Sequence, residues 1–261
     1  MIITEYLWHK LLKRPYKLKK VIDIGSGEAV VLIHGLASQS QIWMPLVKIM
    51  DKSKYRVISY DLLGFGSSPK PRSSGYSTQE HAKSLYYSIK KDVTEGQKIN
   101  LIGHSMGCII STYLAFNNPR LVKSLILYQP PLLISKTDKR SFHNKLYSYV
   151  AKKPSLFLNY IRLINKLFKN RLENFETAVS NWAPIERSIN NTILSQQTIF
   201  ELKRLLIPTH IVYGKMDFVV SRLDAKKIAD INQNIKLHYV YGMHDINRRS
   251  SKYLNALIKE L

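Results

Sequence analysis

A doubly wound, mostly parallel α/β sheet interrupted by a helical insertion is the fold that this 261-residue sequence predicts. Three observations point there. Six short apolar runs rich in β-branched residues recur along the chain, helix-length mixtures of polar and apolar residues separate most of them, and one long stretch, Pro130 to Leu206, breaks the alternation with no convincing strand. Continuous apolar runs fit strands buried on both faces, and strands alternating with helices fit a parallel sheet.

Residues 1–16 are a basic segment whose spacing predicts a short helix with Leu7, Trp8, Leu11 and Leu12 on one face and Lys10, Lys13 and Arg14 toward water. The first strand is "AVVLIHG" (Ala29 to Gly35), followed by a helix near 40–50, the strand "YRVISYD" (Tyr55 to Asp61) and a helix near 78–95. Next come the strand "KINLIGH" (Lys98 to His104), a helix near 106–117 and the strand "LVKSLILY" (Leu121 to Tyr128). The insertion, residues 130–206, holds amphipathic stretches such as "SLFLNYIRLINKLF" and reads as a helical cap. The chain then returns to the sheet with "PTHIVYG" (Pro208 to Gly214), a helix near 221–231, "IKLHYVYG" (Ile235 to Gly242) and a last helix near 249–260. The core is thus expected at 17–129 and 207–261.

Composition narrows the function classes. At 45% apolar residues the chain can bury a sizeable core, and its single cysteine, Cys108, allows no intramolecular disulfide. No apolar run reaches secretory or membrane-spanning length, so a cytoplasmic protein is expected. Lys plus Arg outnumber Asp plus Glu 40 to 18, a net charge of +22. These cations are scattered rather than blocked, and no zinc-finger spacing, RNP-like strand or phosphate-binding Gly-Lys-Thr loop accompanies them. The charge therefore specifies no nucleic-acid partner. Residues 5–20 carry six basic residues against Glu5, so peripheral association with an anionic membrane surface stands beside the plainer expectation that Trp8 and its leucines pack on the domain.

The chemistry is concentrated at "NLIGHSMGCIIS" (Asn100 to Ser111). A strand enters and a helix leaves, which places Ser105 on a tight turn at the carboxyl edge of the sheet, between Gly103 and Gly107 where backbones must approach closely. The helix amino terminus adds N–H groups and a positive dipole end suited to a developing oxyanion. A serine hydroxyl needs a base to take its proton and a carboxylate to orient that base. Asp217, in "GKMDFVV", and His244, in "GMHD", each follow a strand, so both fall on loops at the same sheet edge. For the oxyanion hole, the backbone N–H of Met106 is one donor and that of Leu36, in the loop after "AVVLIHG", is the other.

Rival residues have plainer roles. His9, His81, His143, His210 and His238 read as structural, His104 adjoins Ser105 but should point away from it, and His34 braces the loop at Gly35. No Asp or Glu lies between Pro119 and Thr137, which leaves Asp217 as the acid with Asp245 a weak rival. Cys108, one turn into the helix, reads as a small buried hydrophobe. Arg248 and Arg249 would depress the basicity of His244 if they pointed inward.

Taken together, "LIHGLASQSQIW", "YDLLGFGSSPKP", "LIGHSMGCIIS", "VYGKMDFVV" and "GMHD" resemble the α/β-hydrolase superfamily, specifically its single-domain members with a helical cap, from about residue 17 to 261. The resemblance implies a serine nucleophile at Ser105, an acid at Asp217, a base at His244 and oxyanion amides at Leu36 and Met106, with no cofactor and no metal. In that family "DLLGFGSS" is a structural loop, so Asp61 and Gly64 shape a turn. The expected activity is hydrolysis of an ester or related acyl substrate, carboxylesterase-like, through an acyl-enzyme. Cleavage of a carbon-carbon bond, a lactone or an amide, acyl transfer, and a non-catalytic small-ligand receptor that keeps the triad stay open. The cap aromatics Phe142, Tyr147, Phe157, Phe175 and Trp182 suggest an apolar acyl pocket.

Overall fold

All six apolar runs are strands, and a seventh precedes them. In the computed structural model, which describes residues 12, 14–133, 142–152, 155, 182–220, 229–230 and 232–261, the strands are β1 (Lys20–Ile24), β2 (Glu28–Ile33), β3 (Tyr55–Tyr60), β4 (Ile99–His104), β5 (Val122–Tyr128), β6 (Thr209–Gly214) and β7 (Ile235–Val240). They form one sheet in the order β1-β3-β2-β4-β5-β6-β7, parallel throughout except for β1, which runs antiparallel to β3.

Strand β1 escapes sequence detection because an edge strand need not be apolar. Its "KVIDI" carries Lys20 and Asp23, and Asp23 accepts two 2.8 Å hydrogen bonds from the Arg56 guanidinium of β3 while Lys20 reaches Asp92 at 2.9 Å. The Arg56 contact holds the Asp23 carboxyl down at about 2. Charges along an exposed edge also discourage pairing with a second sheet.

The helices are α1 (Met44–Val47, entered through a 3₁₀ turn at Ser40–Trp43), α2 (Thr78–Asp92), α3 (Met106–Asn117), α4 (Phe142–Lys152), α5 (Trp182–Ser188, running into a π turn at Ile189–Ile193), α6 (Thr198–Leu202) and α7 (Arg248–Lys259). Capping sets two starts locally: the Ser77 hydroxyl accepts from Glu80 N while Glu80 reaches back to Ser77 N, and Asn247 and Ser250 do the same for α7. Between β5 and β6 the described residues are helical or irregular, with no strand. The amphipathic stretch at 156–168, most of the expected helix at 221–231 and residues 1–11 and 13 of the N-terminal segment lie outside the described residues.

Each central strand feeds two core layers. Along β2, Ala29, Val31 and Ile33 face the layer that holds Leu85 and Ile89 of α2 and Ile109, Ile110 and Leu114 of α3. Val30 and Leu32 face the opposite layer, with Leu46 and Val47 of α1 and Leu254, Leu257 and Ile258 of α7. That is why Ala29–Ile33 reads as an unbroken apolar run, each fully buried aliphatic side chain contributing about 1.5–3 kcal/mol. The chain winds from β2 out to β3 and then returns to β4 on the other side of β2, so the winding reverses between β2 and β4, where ligand crevices form in such sheets. Among the described residues no helix is long and apolar enough to cross a membrane.

Candidate active site

The turn between β4 and α3 is shaped by two glycines and strained at the residue between them. A Cβ on Gly103 would stand 2.7 Å from Gly107 O and 2.8 Å from Cys108 N, and one on Gly107 would stand 2.5 Å from both Ile33 O and His34 O. The first glycine therefore lets the helix start against its own strand, and the second lets that helix lie against the end of β2. Ser105 takes φ 53° and ψ −124°, a left-handed backbone that costs a non-glycine residue about 1–3 kcal/mol. Ser105 N donates to Tyr128 O at 3.0 Å and Ser105 O accepts from Cys108 N at 2.9 Å, bonds that hold the turn. Cys108 is fully buried, its thiol donating to Gly103 O at 3.1 Å, and burial pushes that thiol up, away from a reactive thiolate.

Three side chains from separate loops meet at this turn. His244 Nε2 lies 3.0 Å from Ser105 Oγ, and His244 Nδ1 lies 2.7 Å from Asp217 Oδ2. With the carboxylate accepting from Nδ1–H, the Nε2 lone pair faces the serine hydroxyl, the tautomer a general base needs. The other Asp217 oxygen accepts from Val219 N at 2.7 Å. Burial of Asp217, whose side chain is 0% exposed, works to raise its carboxyl, but the His244 ring and the Val219 N–H outweigh it and hold the group below the usual carboxylate range. The rival Asp245 turns instead to Asn247, whose Nδ2 lies 3.2 Å from both carboxylate oxygens. Arg248 and Arg249 are exposed in the first turn of α7, Arg249 stacking over the Tyr241 ring, so neither side chain is buried against the imidazole.

Both expected amide donors lie beside the serine in the chain or in space. Met106 opens α3, whose first N–H groups have no acceptor within the helix. Leu36 follows Gly35, where an added Cβ would come 2.9 Å from Ser105 Cβ, so the β2 loop abuts the turn. His34 braces that loop: its Nδ1–H donates to Gly35 O and its Nε2 accepts from Leu62 N, each at 2.8 Å. Asp61 ties the neighbouring loop together by accepting from Ser40 N and Ser67 N.

The remaining described histidines sit elsewhere. His81 is buried against Ser188, with burial pressing its ring down to about 3, and His210 meets His238 at 3.0 Å on the β6–β7 pair. His104 has a partner that its place in the sequence does not reveal. Its Nε2–H donates 2.8 Å to the backbone carbonyl of His244, and burial first, then the neighbouring His244, presses its ring down to about 3. Sequence reasoning also assigned no part to Tyr128 or Gln129, which reach the loop of His244; a polar residue directly after an apolar strand and before Pro130–Pro131 was the available sign. Of the insertion's aromatics, Tyr147 hydrogen-bonds Val219 O beside Asp217 and Trp182 packs on the first core layer, whereas the side chains of Phe142, Phe157 and Phe175 lie outside the described residues.

Comparison with known proteins follows the same lines. The family profile of the alpha/beta hydrolase fold matches residues 28–182. An Arabidopsis thaliana protein named "Probable lysophospholipase BODYGUARD 4" is 38% identical over 89% of this chain, which spans half the length of that relative. A Synechocystis protein named provisionally as a non-heme chloroperoxidase is 27% identical over 90% of this chain and 91% of its own. Among solved structures, a bromoperoxidase from Bacillus anthracis superposes with a TM-score of 0.76 at 23% identity, covering 92% of this chain and 93% of that one. An esterase from a marine microorganism does so at 0.71 and 22% identity, covering 94% and 99%. At these identities the structural likeness speaks for the fold alone.

Proposed function

This chain belongs to the alpha/beta hydrolase fold family, and from that premise we propose that it is a serine hydrolase, carboxylesterase-like, cleaving an ester with an apolar acyl group. The observation that carries the reading is the hydrogen-bonded line from Ser105 through His244 to Asp217, at 3.0 and 2.7 Å. Ser105 Oγ attacks the acyl carbon as His244 Nε2 takes its proton. The leaving alcohol then receives that proton, and water, deprotonated by the same nitrogen, releases the acid. The Leu36 and Met106 amides stabilise the oxyanion of each tetrahedral intermediate, and the buried Asp217 carboxylate stabilises the imidazolium formed between steps.

An ester substrate is supported by the relative named as a lysophospholipase, and an apolar acyl group by Tyr147 and Trp182 of the insertion, which we read as a cap at 130–206. Association with anionic membrane through residues 5–20 remains a separate proposal. Pelleting with anionic but not neutral vesicles at low salt supports it, and equal, negligible pelleting with both ends it.

The test of the activity pairs a fluorophosphonate probe with p-nitrophenyl esters of graded chain length. Covalent labelling at Ser105 together with turnover of the longer esters is the expected result. A folded protein that neither labels nor hydrolyses any ester overturns the hydrolase reading in favour of a small-ligand receptor.

A further inference from the structure

Three consecutive residues of the loop that carries His244 have their backbone carbonyls gripped by side chains from the ends of β4 and β5. Gln129 Nε2 donates to Met243 O at 2.6 Å, His104 Nε2 donates to His244 O at 2.8 Å, and the Tyr128 hydroxyl donates to Asp245 O at 3.1 Å. Loops at sheet edges are ordinarily the mobile part of such a fold, yet this one is pinned from beneath at each residue around the imidazole.

Gln129 does more than the other two. Its Oε1 accepts from Gly214 N at 2.9 Å, at the point where β6 gives way to the loop of Asp217. One fully buried amide therefore spans the exits of β6 and β7, the two strands whose loops supply the acid and the base. Its own backbone is held at φ 57°, in the left-handed region that a glutamine seldom adopts, and its N–H donates to Val212 O at 2.8 Å. Strain at a buried residue persists where surrounding contacts over-determine it, and here those contacts lead to the two catalytic loops. A Cβ on Gly214 would sit 2.5 Å from Gln129 Nε2, so the glycine at 214 leaves the space that the amide occupies.

We infer that Gln129 is a positioning residue for the proposed hydrolysis: its side-chain amide sets the separation of the acid and base loops and so the aim of His244 Nε2 at Ser105. The inference rests on the hydrolase reading. A primary amide is the chemistry required, because one face must accept from an N–H and the other must donate to a carbonyl. A carboxylate meets only the first demand, and an apolar side chain meets neither.

The test compares Gln129→Met and Gln129→Glu with the wild type in p-nitrophenyl ester hydrolysis, fluorophosphonate labelling and thermal melting. Met keeps the volume without hydrogen bonds; Glu keeps the acceptor for Gly214 and loses the donor to Met243. If Met at this site fails to fold, Glu alone reads the base half. The expected result is a kcat lowered about 10- to 100-fold with KM within about twofold and labelling slowed in parallel, since misplacement by about an ångström costs on that order. A merely structural glutamine would not give the next result: in a His244→Ala background the same substitution should cost nothing further, because the residue acts through that histidine. A kcat within twofold of wild type, or an equal loss with and without His244, overturns the inference while leaving the hydrolase reading standing. A wild-type protein that neither labels nor turns over ester overturns both.

Discussion

Asp217 Oδ2 lies 2.7 Å from His244 Nδ1, and that carboxylate is fully enclosed while the imidazole it orients is partly open to solvent. The two residues stand 27 positions apart in the chain and meet because the exits of β6 and β7 are parallel neighbours.

Removing members of this line should cost unequally. Ser105→Ala and His244→Ala should each abolish fluorophosphonate labelling and lower kcat by up to about 10⁶, because nucleophile and base act as one unit, whereas Asp217→Asn should be milder. Steady-state kinetics with circular dichroism of each variant provides the check. Labelling of His244→Ala at the wild-type rate would mean that another group serves as base.

The stability that Asp217 contributes should survive mild acid. Its carboxyl is held below the usual carboxylate range, so that contribution is complete above the unfolded value and is lost only as pH falls through the depressed folded value. Asp217→Asn should therefore destabilise the protein near neutrality and progressively less as pH falls below the ordinary carboxylate range, measured by urea unfolding at a series of pH values. A loss equal at every pH would show that the charge of this carboxylate does not carry its interaction with His244.

Glu201 in α6 should destabilise the fold above neutrality. It is buried, its Oε2 has no hydrogen-bond partner among the described residues, and burial pushes its carboxyl up to about 7. A raised carboxyl gives stability that is complete below the unfolded value, near 4.5, and is lost as pH rises through 7. Glu201→Gln should accordingly gain on the order of 2 kcal/mol at pH 8 and little at pH 4.5, measured by urea unfolding. Equal changes at the two pH values would show that the carboxyl ionises without penalty.

Gly107→Ala should damage the fold as well as the site. The added methyl would meet the Ile33 and His34 carbonyls at 2.5 Å, and backbone of a central strand cannot swing aside as a flexible side chain can. A loss of about 1–3 kcal/mol, or failure to fold, is expected from overpacking of this kind. Gly96, where an added Cβ meets nothing within 4 Å but φ is +80°, offers a control in which backbone strain acts without a clash.

The sheet was legible in the sequence to the extent that its strands are buried on both faces. β2 declares itself by the unbroken apolar run Ala29–Ile33, because side chains on both sides must leave water, whereas β1, with Lys20 and Asp23 on the sheet edge, carries a weaker apolar signal. The 3₁₀ turn before α1 was equally hidden, since i→i+3 and i→i+4 turns share nearly the same apolar spacing.

By itself the sequence determined the chemistry on offer at this sheet edge: a serine flanked by glycines between a strand and a helix, and an aspartate and a histidine each just past a later strand, all readable because local backbone geometry demands those residue types at those places. Tertiary structure decided what no local rule can encode. It brought Asp217 to His244 by setting the exits of β6 and β7 side by side, turned His104 toward the carbonyl of His244, and set a strained, buried Gln129 between the two loops. Those outcomes depend on strand order and on which polar groups are left to satisfy one another once water is excluded, and both come into being only when the whole sheet has closed.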